Sequence, residues 1–436
     1  MIKRITATIG ILILTCSFIW SQTAKLSDEY LESLTELYKH LHANPELSFL
    51  EKETSARMAK ELSALGYSVT AEVGGYGVVG VLENGPGPTI LVRADMDALP
   101  VLEATGLPYA STARATDITG EEVPVMHACG HDIHMTVWVG AAQQMVLNRD
   151  QWSGTLVFMG QPAEERSGGA KAMLADGLYT RFPTPDYCLA IHTSADLPAG
   201  TIGLCPGYAM ANVDMVDIDV FGQGGHGAAP HTTKDPVVLS ARMIMAMQTI
   251  VAREINPLEP AVLTVGSIQG GTKGNIIPNQ VTLRLTLRSY SDEVRNALIE
   301  KIRRICKGVA ISAGVPEDKY PVVTVLDEYT PSLKNDEALG KRMEAVFTKA
   351  LGAERVVTTT PRMVGEDFGR LGRTEEQVPI FLYWLGSVDP EVYAQALANG
   401  EQLPSLHSAE FKPLPQPTIE TGVESMTAIL QDLLKK

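Results

Sequence analysis

The densest chemistry in this chain lies in ten residues, MHACGHDIHM, from Met126 to Met135. His127, Cys129, His131 and His134 fall within eight positions there, with Asp132 among them. Thiolate and imidazole are ligands that borderline-soft divalent metals such as zinc prefer. In an extended or looped segment side chains alternate, which would turn His127, Cys129 and His131 to one side. The spacing fits no zinc-finger pattern, so a closed structural metal knot is not expected. The plainer alternative, a polar loop with one free cysteine, is the less favoured reading of the stretch. Other reactive residues recur along the chain. Asp95 and Asp97 stand in RADMDALP, Glu164 and Glu165 are adjacent in QPAEERSGG, His192 follows an apolar run, and His407 lies in LPSLHSAEF.

The elements around these residues read as alternating α and β. Apolar spacing predicts helices over Ser27–His42 and about Glu51–Leu65, the first capped by Ser27 or Asp28. His40 and His42 are then helix-end residues. Alternating or β-branched runs predict strands at Ser68–Val73, Gly77–Leu82 and Thr89–Arg93, the last leading to Asp95 and Asp97. Asp132 is expected to cap a helix from about Ile133 to Leu147, whose dipole would favour a Cys129 thiolate. Strands at Thr155–Gly160 and Asp186–Ile191 would finish at Glu164/Glu165 and His192. Strand ends facing a crevice are where open α/β sheets bind ligands. A helix over Ala170–Asp176 separates them. From Val213 the order becomes β-α-β-β-α-β: Val213–Phe221, Pro236–Arg253, Ala261–Ile268, Val281–Arg288, Ser291–Ala313 and Val322–Leu326. That is a ferredoxin-like unit, compact enough to be an inserted domain. A helix at Asp336–Leu351, a strand at Ile380–Leu385 and a helix at Thr418–Leu434 follow.

At 436 residues, two domains are the natural expectation. The division is 25–208 plus 329–436 for a catalytic α/β domain with helices on both faces of a mixed sheet, and 209–328 for an inserted lid or dimerisation domain. A net charge of −15 argues against nucleic acid or an anionic membrane as a partner. Lys3 and Arg4, the apolar run Ile5–Trp20 and the small Ser21 follow the order of a secretory signal peptide over residues 1–21. The run is short for a membrane span. Thr15 is a poor fit before a lipidated Cys16, so the expectation is export, periplasmic or secreted, with no stable span after processing. Cys129, Cys188, Cys205 and Cys306 show no paired spacing.

Should Cys129, His131, Glu165, His192 and His407 converge, five ligands exceed one tetrahedral ion, and a bridging thiolate would let them hold two. Two such cations lower the pKa of a water between them and polarise a carbonyl. Glu164, beside a ligand, is then the proton acceptor that later serves the leaving amine. RADMDALP, MHACGHD, QPAEE, GQGGHGAAPH, GGTKGNIIP, GEDF and the late LHS together resemble the aminoacylase/carboxypeptidase family of dinuclear metallopeptidases. Within it they resemble the branch with hippurate hydrolases and auxin-conjugate amidohydrolases. The resemblance implies two divalent ions, zinc or manganese, held by Cys129 (the bridge), His131, Glu165, His192 and His407. It implies Glu164 as general base and acid, and Asp97 as a residue that orients an imidazole. His226 would reach a neighbouring subunit's site and stabilise an oxyanion, which implies a homodimer through residues 209–328. Asn275 and Arg288 would hold the substrate's carboxylate or amide. Asp95 stands where other branches place a ligating histidine, so ligation is not assigned to it. Packing is the expected fate of His127, His134 and His231. Glu366 and Asp367 match a motif near the metals, with no role given by spacing.

Two segments depart from the branch: TSADLPAG after His192 lacks an aromatic residue, and Arg370–Gln377 is charged like a local insertion. The expected activity is hydrolysis of the amide of N-acyl amino acids or related small conjugates. A dipeptidase or carboxypeptidase would use the same machinery. A cysteine hydrolase with Cys129 as nucleophile and an exported binding protein are the alternatives of other kinds.

Overall fold

The computed structural model describes residues 26–327 and 329–436. The expected export segment, with Cys16, lies outside the described residues. An eight-stranded mixed sheet runs Ser68–Val73, Gly77–Glu83, Thr155–Gln161, Thr89–Asp95, Tyr187–Pro198, Ile380–Val388, Ile202–Leu204 and Val356–Thr358 across its width. Its four central strands, Thr155–Gln161 through Ile380–Val388, are mutually parallel. Their apolar residues are buried on both sides, as parallel strands covered by helices require.

One face packs under the helices Asp28–Ala43, His131–Leu147, Glu337–Leu351 and Pro415–Leu433. The His131–Leu147 helix is buried almost all round, which suits a sequence with no polar face. Trp138 Nε1 donates to the Val92 carbonyl at 3.0 Å and pins it to the sheet. Gly140 lets the Pro415–Leu433 helix approach closely, since a Cβ there would lie 2.4 Å from a Val423 methyl. The opposite face carries Met173, Leu178, Phe368 and Leu371.

Strands Asn212–Phe221, Ala261–Gln269, Gln280–Ser289 and Val322–Val325 form a second, antiparallel sheet. Numbered along the chain they lie in the order 4-1-3-2, the ferredoxin-like arrangement. Helices Pro236–Thr249 and Asp292–Ser312 cover it, capped by Asp235 and Ser291. The first ends in a π turn, Ile250–Glu254, rather than running on to Arg253 as one α-helix. Thr249, Ile250 and Val251 are successive β-branched residues, poor helix formers, at that point. Among the described residues no helix is long and apolar enough to cross a membrane.

Candidate metal centre

The site forms at the C-terminal side of the central parallel strands. Asp95 ends one strand, and Thr155–Gln161 leads directly to Glu164 and Glu165. His192 is not a strand end. It sits mid-way along Tyr187–Pro198, opposite Trp384 in the parallel register. The polar residues beyond the expected strand end, from Thr193, are held extended by that pairing. The ligand-bearing helix starts at His131, not Ile133, and its N-cap is Gly130 at φ 80° rather than Asp132. A side chain at Gly130 would also meet Thr193 Oγ1 at 2.5 Å. This turn breaks the alternation of an extended segment. Cys129 and His131 therefore converge, while His127 joins no ligating group among the described residues.

Two sets of three ligating atoms, each within 4.8 Å of one another, share the Cys129 sulfur: Cys129, His131 and His192, and Cys129, Glu165 and His407. Cys129 Sγ lies 3.6 Å from His192 Nε2. Glu165 Oε1 lies 3.4 Å from His407 Nε2 and 3.9 Å from His131 Nε2. His131 donates from Nδ1 to the Asp97 main-chain carbonyl at 2.7 Å, and His192 from Nδ1 to the Thr193 carbonyl at 2.9 Å. Both bonds fix the tautomer that leaves Nε2 with a lone pair facing the cluster. His131 Nε2 and Glu165 Oε1 are buried without a hydrogen-bond partner, a state that normally demands a cation or water. The donor set fits a divalent metal.

Electrostatics point the same way. Burial works against a charged His131, yet Asp95, Asp97 and Glu165 outweigh it and hold its pKa up to about 10. Burial, with Glu165 and Glu164 nearby, pushes the Cys129 thiol well up, so the carboxylates and lost hydration outweigh the helix dipole. The pocket selects positive charge, and a metal ligand there must lose its proton on binding. Burial holds His192 neutral.

Asp97 faces His131, as expected of a residue that orients an imidazole, with its Oδ1 3.5 Å from His131 Nδ1, and it does more besides. Its main-chain carbonyl orients His131, and its carboxylate accepts the Glu164 and Glu165 N–H groups, each at 3.0 Å, and the Ser48 hydroxyl at 2.6 Å. Ala163 and Ser167, flanking the pair, adopt left-handed φ of 50° and 53°, and His407 one of 66°. Such conformations cost about 1–2 kcal/mol each and persist where neighbours impose them. Glu164 is buried, and burial with Glu366, Glu165 and Asp367 raises its carboxyl well above the usual range.

The remaining expected residues lie elsewhere. His226, in a two-residue strand paired with Ile276–Ile277, is exposed, and its Nδ1 accepts from Ala228 N–H. Asn275 offers its main-chain carbonyl to Gly227 N–H beside the same two-stranded ladder. Arg288 is half-buried on Gln280–Ser289 and donates to the Leu287 carbonyl and Thr286 hydroxyl. The hydrogen bonds described for these three residues stay within the ferredoxin-like unit. His231 is exposed in a short 3-10 turn.

Residues 91–404 match the profile of peptidase family M20/M25/M40. The chain belongs to that family. Its chemistry is amide-bond hydrolysis. The hydrolase is similar to hippurate hydrolase of Campylobacter jejuni, 39% identical over 348 residues, covering 78% of this chain and 85% of the relative. It is similar to N-acetyl-L-cysteine deacetylase of Bacillus subtilis, 36% identical over 342 residues, covering 77% of each. Its fold is similar to that of a dinuclear metal-binding M20 peptidase from Bacillus subtilis, with a TM-score of 0.74, 28% identity, and coverage of 93% and 99% of the two chains.

Several of the hydrolase's supporting residues escape a reading by motif. Arg93 is fully buried and pairs with Asp95 and Glu366 at 2.7 Å and Asp367 at 3.3 Å, while its Nε meets Gln161 at 2.9 Å. This gives Glu366 and Asp367 their place. A charged residue inside the apolar run TILVRAD was the available signal. His134 donates to Asp95 at 2.5 Å and accepts from Thr193 N–H at 2.8 Å, bracing the ligand helix. Glu51 accepts the Phe49 and Ala163 N–H groups ahead of the glutamate pair.

His42 is also more than a helix-end residue. It is buried between Asp132 at 2.7 Å and Glu103 at 3.0 Å. Burial alone would lower its pKa, but hydrogen bonds to the two carboxylates hold it up to about 9 from 6.5. The folded value is the higher one, so this stabilisation is full below the unfolded pKa and lost as pH rises through the folded one. It is of order ~3 kcal/mol. Urea midpoints should fall between about pH 7 and about pH 10 in the parent and change less in His42→Gln. Equal slopes in both would show that the ion triad contributes nothing.

Proposed function

We propose that the protein is an exported, dimeric N-acyl-amino-acid amidohydrolase that holds two divalent cations, zinc or manganese. The observation that carries the reading is the Cys129 sulfur common to both ligand triads, the arrangement a bridging thiolate would need. Cys129, His131, His192, Glu165 and His407 would hold the ions. When bound, the pair would polarise the scissile carbonyl and lower the pKa of a water. Glu164 then accepts the water's proton and delivers it to the leaving amine nitrogen. Asp97 keeps Glu164 and Glu165 in register by gripping their main-chain N–H groups. The substrate class rests on the relatives that cleave hippurate and N-acetyl-L-cysteine.

Residues 209–328 would act as the lid and dimer interface. His226 is exposed and, among the described residues, its ring bonds only within its own turn, which leaves it free to serve the site of a second copy. Ile276, its cross-strand neighbour, and Ile268, on the edge strand Ala261–Gln269, are 51% and 60% exposed. Asn275 and Arg288 would then hold the substrate's carboxylate or amide. A carboxypeptidase reading has support from a thermostable carboxypeptidase of Saccharolobus solfataricus, 36% identical over 364 residues.

Elemental analysis of the purified enzyme should give about two divalent ions per chain. Turnover of N-acetyl, N-benzoyl or indole-acetyl amino acids should exceed that of dipeptides. A metal-free active enzyme, or cleavage of dipeptides alone, would sink the assignment. Mixing inactive His226→Ala and Glu164→Gln chains should restore activity in mixed dimers. No recovery in verified mixed dimers would refute the shared site. Export predicts loss of extracytoplasmic protein when residues 1–21 are deleted, and unchanged distribution would count against it.

A further inference from the structure

A second crevice, about 420 Å³, lies where the ferredoxin-like unit meets the main body, and none of its lining residues belongs to the ligand cluster. Four cations line it: Lys171 from the Gly169–Ala175 helix, Arg295 from Asp292–Ser312, and Arg370 and Arg373 from the segment after Asp367. Asp292 is the acid among the lining residues, and Tyr329 is set into the wall with Arg295 stacked 3.9 Å over its ring. In a chain of net charge −15 such clustering opposes the overall balance. Leu174 and Pro331 are the apolar contributors, too little surface for a large apolar ligand.

Not all four cations are already spent. Arg295 is held bidentate by the buried Asp214, and Arg373 pairs with Asp292. Arg370, by contrast, donates to the Tyr329 carbonyl while its Nε is buried without a hydrogen-bond partner. Burial disfavours its charge more than Asp367 supports it, and a bound anion would add to that support. Lys171 meets Asp327 at 2.7 Å, but that aspartate is 94% exposed, so the pair is screened and readily exchanged.

We infer that this crevice binds a small polyanion, phosphate or an organic di- or tricarboxylate, through Arg370 and Lys171. Guanidinium forks suit planar carboxylates and tetrahedral oxyanions alike. Arg370 and Lys171 both belong to the main body, so the ligand would face Arg295 and Asn296 of the ferredoxin-like unit across the crevice. Calorimetric titration of the full-length, metal-loaded enzyme with inorganic phosphate and with tricarballylate tests this, at ionic strength matched with sodium chloride and with acetate as monoanion control. At least one polyanion should bind saturably where acetate does not, and the preferred one identifies the source. Affinity should drop at least tenfold in Lys171→Gln and in Arg370→Gln. Lys171 is half-exposed and carries no fold, so its variant decides if Arg370→Gln misfolds. The inference is overturned if neither polyanion exceeds acetate, or if Lys171→Gln binds like the parent, which would assign the binding to the metal cluster.

Discussion

Glu164→Gln should lower kcat on the order of a thousandfold while the metal content stays at the parent value. Glutamine keeps the shape, the burial and the main-chain bond to Asp97 Oδ1. What it loses is the capacity to take a proton and give it back. The expected size follows from the roles assigned: a general base that also serves as general acid affects both formation and collapse of the tetrahedral adduct. KM should change little, because an amide in place of the carboxylate leaves the ligands Cys129, His131, Glu165, His192 and His407 untouched. The pairing of kcat with metal content is what makes the test sharp. A variant that loses metal would make Glu164 a ligand, which its place beside His131 and Glu165 in a third ligating group permits geometrically. A variant that keeps both metal and rate would remove Glu164 from the chemistry. The neighbours explain why a carboxylate can serve both directions. Glu366 and Asp367 lie within 4.8 Å of Glu164, and their charge favours the protonated form that the leaving amine requires. Bound cations act in the opposite sense and favour the carboxylate that the attacking water requires.

How far the sequence discloses this arrangement depends on whether a residue's partner is local. Strands such as Ser68–Val73 and Gln280–Ser289 are legible because β-branched alternation is a property of the segment itself. The 4-1-3-2 sheet follows from the order of its elements. The five proposed ligands are legible because few other functions call for thiolate, imidazole and paired carboxylates together. The start of the ligand helix is not, since Asp132 is a good cap by type but is committed to His42, ninety positions earlier. The same holds for His192, whose strand continues through polar residues because Ile380–Val388 runs beside it. Short strands such as Ile202–Leu204 and Val356–Thr358 pair only with each other and with that distant strand, and nothing in three residues announces it. The Pro390–Asn399 helix did carry its signals, Asp389 as cap, Pro390 in the first turn and Gly400 beyond the end.

Arg93→Met should cost about 3–5 kcal/mol of stability, a large part of what a typical protein has. Arg93 is wholly buried, and three carboxylates, from Asp95, Glu366 and Asp367, converge on it. Methionine matches much of the volume, so the loss is electrostatic rather than a cavity. Without the guanidinium the acids must take up protons or hydrate. Burial, only partly offset by Arg93, already holds the Glu366 carboxyl at about 7. The sign of its pH effect follows. Its folded pKa exceeds the unfolded one, so the group costs nothing below about 4.5 and destabilises increasingly as pH rises towards 7. Removing Arg93 deepens that penalty, so the variant should be most impaired near neutral pH and recover on mild acidification. Adding Glu366→Gln to Arg93→Met should restore part of the loss, because one uncompensated charge goes with it. Arg93→Lys should fall between, keeping the charge but not the fork that reaches Asp95, Glu366 and Gln161 together. The damage should also reach the metals. Asp95 braces His134, His134 accepts from Thr193 N–H, and the Thr193 hydroxyl donates to the Cys129 carbonyl at 2.8 Å. A loosened Asp95 therefore shifts Cys129, the proposed bridge, and a tenfold or greater fall in metal affinity is expected even where the fold survives. If Arg93→Met unfolds within about 1 kcal/mol of the parent at neutral pH, the buried acids are protonated already and the guanidinium is not what holds them.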